Sequence, residues 1–70
     1  MKSENENISM PDMEEKVITV CYGVKREWAH RRDAVEFFRE GMSVCEGAEL
    51  ERYATIVSRL LSGKTVCSDK

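Results

Sequence analysis

The spacing of apolar positions changes once along this chain, near residue 30. Before it, Val17-Ile18-Thr19-Val20-Cys21-Tyr22 is a run of β-branched and aromatic residues bounded by Glu14-Glu15 and Gly23. It is short for a helix and rich in strand formers. Val24, Arg26 and Trp28 then alternate with Lys25, Glu27 and Ala29. A period of two with one charged face suits a strand that is wet on one side. Gly23 tolerates positive φ and permits a reversal. Residues 16–29 are therefore expected to form a β-hairpin turning near Gly23, without the Asn-Gly or Asp-Gly pair that would fix its register.

Beyond residue 30 the period lengthens. Ala34, Phe37, Phe38, Met42 and Cys45 recur at three and four, which predicts a helix opening at His30-Arg31-Arg32-Asp33 and broken by Glu46-Gly47. Gly41 inside it costs up to about 1 kcal/mol against alanine, so a neighbouring element is expected to come close there. Leu50, Tyr53, Ala54, Val57, Leu60 and Leu61 predict a second helix over Ala48–Ser62. Glu49 and Glu51 in its first turn and Arg59 in its last match the helix dipole, and Gly63 follows as a C-cap. The short gap makes the two helices an antiparallel hairpin. Residues 64–68 leave two outcomes, a short third strand beside the hairpin or an unstructured end. The fold class expected is α+β, with a core drawn from Val17 or Ile18, Val20, Tyr22, Trp28, Ala34, Phe37, Phe38, Met42, Leu50, Tyr53, Ala54, Val57, Leu60 and Leu61.

Residues 1–14 read as a disordered tail and 15–70 as a single small domain. Residues 1–16 hold five acids and two bases, and their apolar members are Met1, Ile8, Met10 and Met13, too few to offset the entropy of ordering.

Composition narrows the function. The chain is 41% hydrophobic and 34% charged, a globular balance. Its net charge of −2 gives no global attraction to nucleic acid or anionic lipid. No apolar run spans a bilayer and the first residues lack a secretion signal, so a cytoplasmic location and no membrane partner are expected. Cys21, Cys45 and Cys67 are three, an odd number, and no pair has the C-x-x-C spacing. They read as reduced thiols in small apolar positions. A zinc site of these three with His30 would need ligands from separate elements to converge. No metal and no cofactor is expected.

Candidate chemistry is sparse. His30 has no neighbouring nucleophile to serve as a general base. Glu46, Glu49 and Arg52, spaced by three, suit a solvated face with a Glu49–Arg52 pair. The glycines are isolated, so no phosphate loop forms. No catalytic residue is expected. The segment from Lys25 to Arg32 differs: Lys25, Arg26, Arg31 and Arg32 surround Trp28 and His30 with one acid, Glu27. Bases beside an aromatic ring are what a nucleic-acid surface uses, while Trp and Arg together also anchor protein interfaces. Arg31 and Arg32 lie at a helix start, where the dipole disfavours them; some other interaction must call for them. Lys25, Arg26, Trp28, Arg31 and Arg32 are the candidate binding residues. The leading expectation is a non-enzymatic protein-binding accessory module whose partner is another protein or itself, as a homodimer. The alternative is a nucleic-acid-binding accessory protein using residues 25–32.

Phe37-Phe38, Gly41-Met42, Cys45-Glu46-Gly47-Ala48-Glu49, Glu51-Arg52-Tyr53-Ala54-Thr55-Ile56 and Gly63 through Asp69 carry a resemblance. Over about residues 17–69 the chain resembles small uncharacterised proteins of conjugative transposons and mobile elements in gut Gram-positive anaerobes. The resemblance implies a mobile-element setting and a cytoplasmic location, and assigns no catalytic residue.

Overall fold

The computed structural model describes residues 11–70. Strands β1 (Val17–Cys21) and β2 (Val24–Trp28) are followed by helices α1 (Arg31–Met42) and α2 (Ala48–Leu61) and a short strand β3 (Val66–Ser68). The sheet order is β2-β1-β3, with β1 antiparallel to β2 and parallel to β3. This is the expected α+β arrangement, and the C-terminal segment does form the third strand.

The hairpin turns on Tyr22 and Gly23, both at positive φ, 55° and 77°. Two consecutive left-handed residues match the right-handed twist of the flanking strands. Val17 pairs with Trp28, Thr19 with Arg26 and Cys21 with Val24, and these six side chains share one face of the sheet. Val17 and Thr19 are buried there under the helices. Ile18 and Val20 point to the opposite face and are only half-buried. Val20 and Tyr22, expected in the core, are thus displaced: the inward face of β1 is the odd-numbered one, and Tyr22 sits in the turn, 54% exposed.

The core is Val17, Ala34, Val35, Phe38, Ile56, Val57, Leu60 and Cys67. On α1 the buried positions are Arg31, Ala34, Val35 and Phe38, so the stripe is rotated from the one expected and Phe37 is left at its margin. On α2 they are Ile56, Val57 and Leu60. Gly41 has the close neighbour its position demanded. A Cβ there would lie 2.3 Å from a ring carbon of Tyr53, so the glycine admits an aromatic side chain from α2 between the helices.

The domain begins earlier than expected. Asp12 caps a local turn, its carboxylate accepting from the Glu14 N–H at 3.0 Å. Met13 packs against the core, and its carbonyl accepts the Arg32 N–H at 2.9 Å, closing the first turn of α1 in place of a side-chain cap from His30. Residues 11–14 therefore belong to the folded unit, and residues 1–10 of the expected tail lie outside the described residues.

Candidate functional site

The basic segment does not form one surface. Arg31 is fully buried. Its Nε donates to the Asp12 carbonyl at 3.0 Å, and Nη1 donates to the carbonyls of Leu60 and Lys64, each at 2.7 Å. Nη2 donates to the Gly63 carbonyl at 3.3 Å and to the Glu15 carboxylate. A guanidinium at the start of α1 thus adds hydrogen bonds to the Leu60 carbonyl in the last turn of α2 and to those of Gly63 and Lys64 just past it, where a helix dipole is negative. That interaction explains a base at the wrong end of its own helix. Arg31 as a surface contact is therefore corrected: it is an internal latch between the helices and the N-terminal turn.

Arg32 is exposed and pairs with Glu14 at 3.1 Å, as does His30 at 3.3 Å. Lys25 pairs with Val20 in the sheet register and lies on the face away from the helices. Only Arg26 and Trp28 are brought together. The Arg26 guanidinium carbon stands 4.7 Å from the Trp28 ring centroid and 4.5 Å from that of Phe37. Both distances fit a cation–π contact.

An aromatic cluster continues from this pair. Trp28 and Phe37 have centroids 5.3 Å apart, Phe37 and Phe38 meet edge to face at 5.0 Å, and Phe38 meets Tyr53 at 5.3 Å. Trp28 is fixed by its Nε1–H, which donates to Thr19 Oγ1 at 3.0 Å. Phe38 anchors the cluster in the core, while Phe37, Val24 and Tyr22 are 41%, 60% and 54% exposed. Between β2 and the helices they border a cleft of about 190 Å³, floored by Cys21, Phe38 and Tyr53. Around the other side of Phe37 the surface turns acidic, with Asp33, Glu36 and Glu40 beside Trp28. Phe37 was expected in the core and Tyr22 likewise; Phe37-Phe38 satisfies a helical period in more than one phase and Tyr22 falls in the turn, which hid this surface.

Tyr22 is held at the rim by a second cluster. A bulky residue at positive φ is strained, and the turn is tied down at several points. The Tyr22 N–H donates to Asp69 Oδ2 at 2.9 Å, Arg52 Nη1 donates to the same oxygen at 2.8 Å, and the Arg52 guanidinium stacks on the Tyr22 ring at 4.5 Å. Arg52 therefore pairs with Asp69, in place of the expected Glu49. The Tyr22 N–H and Arg52 hold the Asp69 carboxyl below the usual carboxylate range. A depressed native pKa contributes stability that is present above the unfolded value, near pH 4, and is lost as pH falls through the native value. Asp69→Asn is expected to lower the melting temperature at neutral pH and to flatten the acid limb of the stability profile below about pH 4. Thermal melts from about pH 2 to 7 check this; parallel profiles for the two proteins would contradict it.

The three thiols and the Tyr53 hydroxyl move away from reactivity. Burial pushes the Cys21 thiol up, helped by Asp69, and burial with Glu49 raises Cys45. Burial also raises the Tyr53 hydroxyl and the Cys67 thiol, the latter against the opposing pull of Arg31. All of these favour neutral thiols and phenol, poor nucleophiles near pH 7. Cys67 is buried between sheet and helices, and His30 hydrogen-bonds the Glu14 carbonyl at 3.1 Å. Among the described residues no three His, Cys, Asp or Glu side chains gather as a metal site, so the Cys21–Cys45–Cys67–His30 grouping is not assembled. No helix among them is long and apolar enough to cross a membrane. Comparison with protein-family models, with curated protein sequences and with solved structures gives no match.

Proposed function

We propose that this protein is a small non-enzymatic protein-binding module acting in the cytoplasm, in a mobile-element setting, and that it recognises its partner through the aromatic face around Trp28 and Phe37. One observation carries the reading. Tyr22, Val24 and Phe37 remain exposed around a cleft whose rim carries Arg26, and a clustered apolar surface with aromatic and Arg anchors is the composition of an interface centre. The charge around it favours protein over nucleic acid. Arg31 is internal, Arg32 is paired with Glu14, Lys25 lies across the sheet, and Asp33, Glu36 and Glu40 border Phe37. The nucleic-acid reading would have to rest on Lys25, Arg26 and Arg32 without a continuous basic patch, and such binding weakens steeply with salt.

Affinity capture from a lysate of the source organism, run with wild type and Phe37→Ala, is set beside titrations of labelled DNA and RNA at about 150 mM salt. A captured protein that Phe37→Ala retains at least about tenfold less well is expected, with weak nucleic-acid binding. Tight nucleic-acid binding lost in Lys25→Glu and Arg32→Glu would overturn the reading.

A further inference from the structure

The outer edge of β2 is unpaired, and its sequence complements itself. The Ile18 N–H donates to the Thr65 carbonyl at 2.8 Å and the Val20 carbonyl accepts the Asp69 N–H at 3.0 Å, so these residues turn their backbone groups toward β3. Alternate residues of a strand turn opposite ways. Val17, Thr19 and Cys21 therefore face β2, where Trp28, Arg26 and Val24 face back. The N–H and C=O groups of Lys25 and Glu27 are left pointing outward along the free edge of the sheet. Among the described residues they have no strand partner.

We propose that two copies of this chain pair antiparallel along the outer edges of β2, with Lys25 of one opposite Glu27 of the partner subunit, joining both sheets into one. The proposal rests on the protein-binding reading of this face and adds the identity of one partner. In the register centred on Arg26, Lys25 and Glu27 of the partner subunit exchange backbone hydrogen bonds, and the two-fold axis repeats the pair. Each outward backbone group finds a partner, and opposite charges meet on the face away from the helices. On the helix face Val24 meets Trp28 of the partner subunit, an aromatic–β-branched pair. A shift of two residues either way sets lysine opposite lysine or glutamate opposite glutamate. Charge therefore selects a single register. Lysine on a free edge ordinarily blocks pairing; here Glu27 answers it.

The register has one cost. Arg26 faces Arg26 of the partner subunit, although each guanidinium already has the rings of Trp28 and Phe37 to lie on. Two five-residue edges also bury less than a standard interface. The dimer is accordingly weak, with a dissociation constant of about 10 μM to 1 mM. The axis is normal to the sheet, so both helical hairpins lie on one side of it and the two aromatic clefts flank the seam.

Sedimentation velocity of the full chain over about 10 μM to 1 mM tests this. The wild type should move from monomer to dimer as concentration rises. Lys25→Glu and Glu27→Lys should each raise the dissociation constant about tenfold or more, since each creates two like-charge pairs. The double variant Lys25→Glu/Glu27→Lys should return to within about threefold of wild type, its pairs being opposite again. Both positions are exposed, and circular dichroism melts confirm that the single variants stay folded. A wild type that is monomeric throughout, single variants that dimerise like wild type, or a double variant that does not recover overturns the proposal. A monomer whose Phe37-dependent capture of another protein persists removes the dimer and leaves the protein-binding reading; dimerisation with no such capture does the reverse.

Discussion

Arg31→Ala is expected to destabilise the domain by about 3 kcal/mol or more, the largest effect of any single substitution in the basic segment. The side chain is wholly buried, and its loss would remove at once its hydrogen bonds to the carbonyls of Asp12, Leu60, Gly63 and Lys64 and to the Glu15 carboxylate, and leave its buried volume unfilled. A small domain holds only about 5–15 kcal/mol in total, so the melting temperature should fall by roughly 12 °C or more. Arg31→Lys should recover little, because an ammonium cannot reproduce the guanidinium fork. Arg32→Ala, which removes an exposed pair with Glu14, should cost about 0–1 kcal/mol. Urea unfolding followed by circular dichroism separates the three. Equal effects at Arg31 and Arg32 would mean that Arg31 is a surface residue after all.

Phe38→Ala is expected to cost about 3–5 kcal/mol. Phe38 is 2% exposed and meets Trp28, Phe37 and Tyr53 edge-on. Its removal empties the place where the exposed rings are rooted. Phe37→Ala, on the neighbouring ring that is 41% exposed, should cost only about 1 kcal/mol. The contrast ties packing to recognition: Phe38 holds the platform and Phe37 presents it. Chemical denaturation of both variants gives the comparison, and a Phe37 loss as large as that of Phe38 would return Phe37 to the core.

The elements were legible because their periods are clear, and the faces were less so. In α1 the sets 34, 37, 38 and 34, 35, 38 both fit a helical stripe, and the fully buried Arg31 decides for the second. In β1 all positions favour a strand, so alternation could not tell Val17 and Thr19 from Ile18 and Val20. Arg31 and Arg32 did leave a trace in the sequence as bases against their own dipole. The partners of Arg31 lie up to 33 residues away, and no local spacing could name them. The Tyr22–Asp69 bond spans 47 residues and is equally non-local. Phe37 surfaced through the choice of face on α1 and Tyr22 because it sits in the turn, whereas Val24 shares the inward face of Val17 and Thr19 and still stays 60% exposed beside that turn. The N-terminal boundary moved for the same reason. Met13 is the one apolar residue in this stretch, and its packing on the core and the hydrogen bonds of Asp12 and Met13 to Arg31 and Arg32 all reach far along the chain.

Site-specific photocrosslinking tests the aromatic face most directly. A benzophenone amino acid replaces Phe37 at the exposed margin of the cluster, or Ser58 on the exposed side of α2, in otherwise unchanged protein within cells of the source organism. Position 37 should give a discrete protein adduct, a second copy of this chain among the products, and position 58 should not. Adducts to nucleic acid at position 37, or the same pattern from both positions, would contradict a protein-binding face built on Trp28 and Phe37.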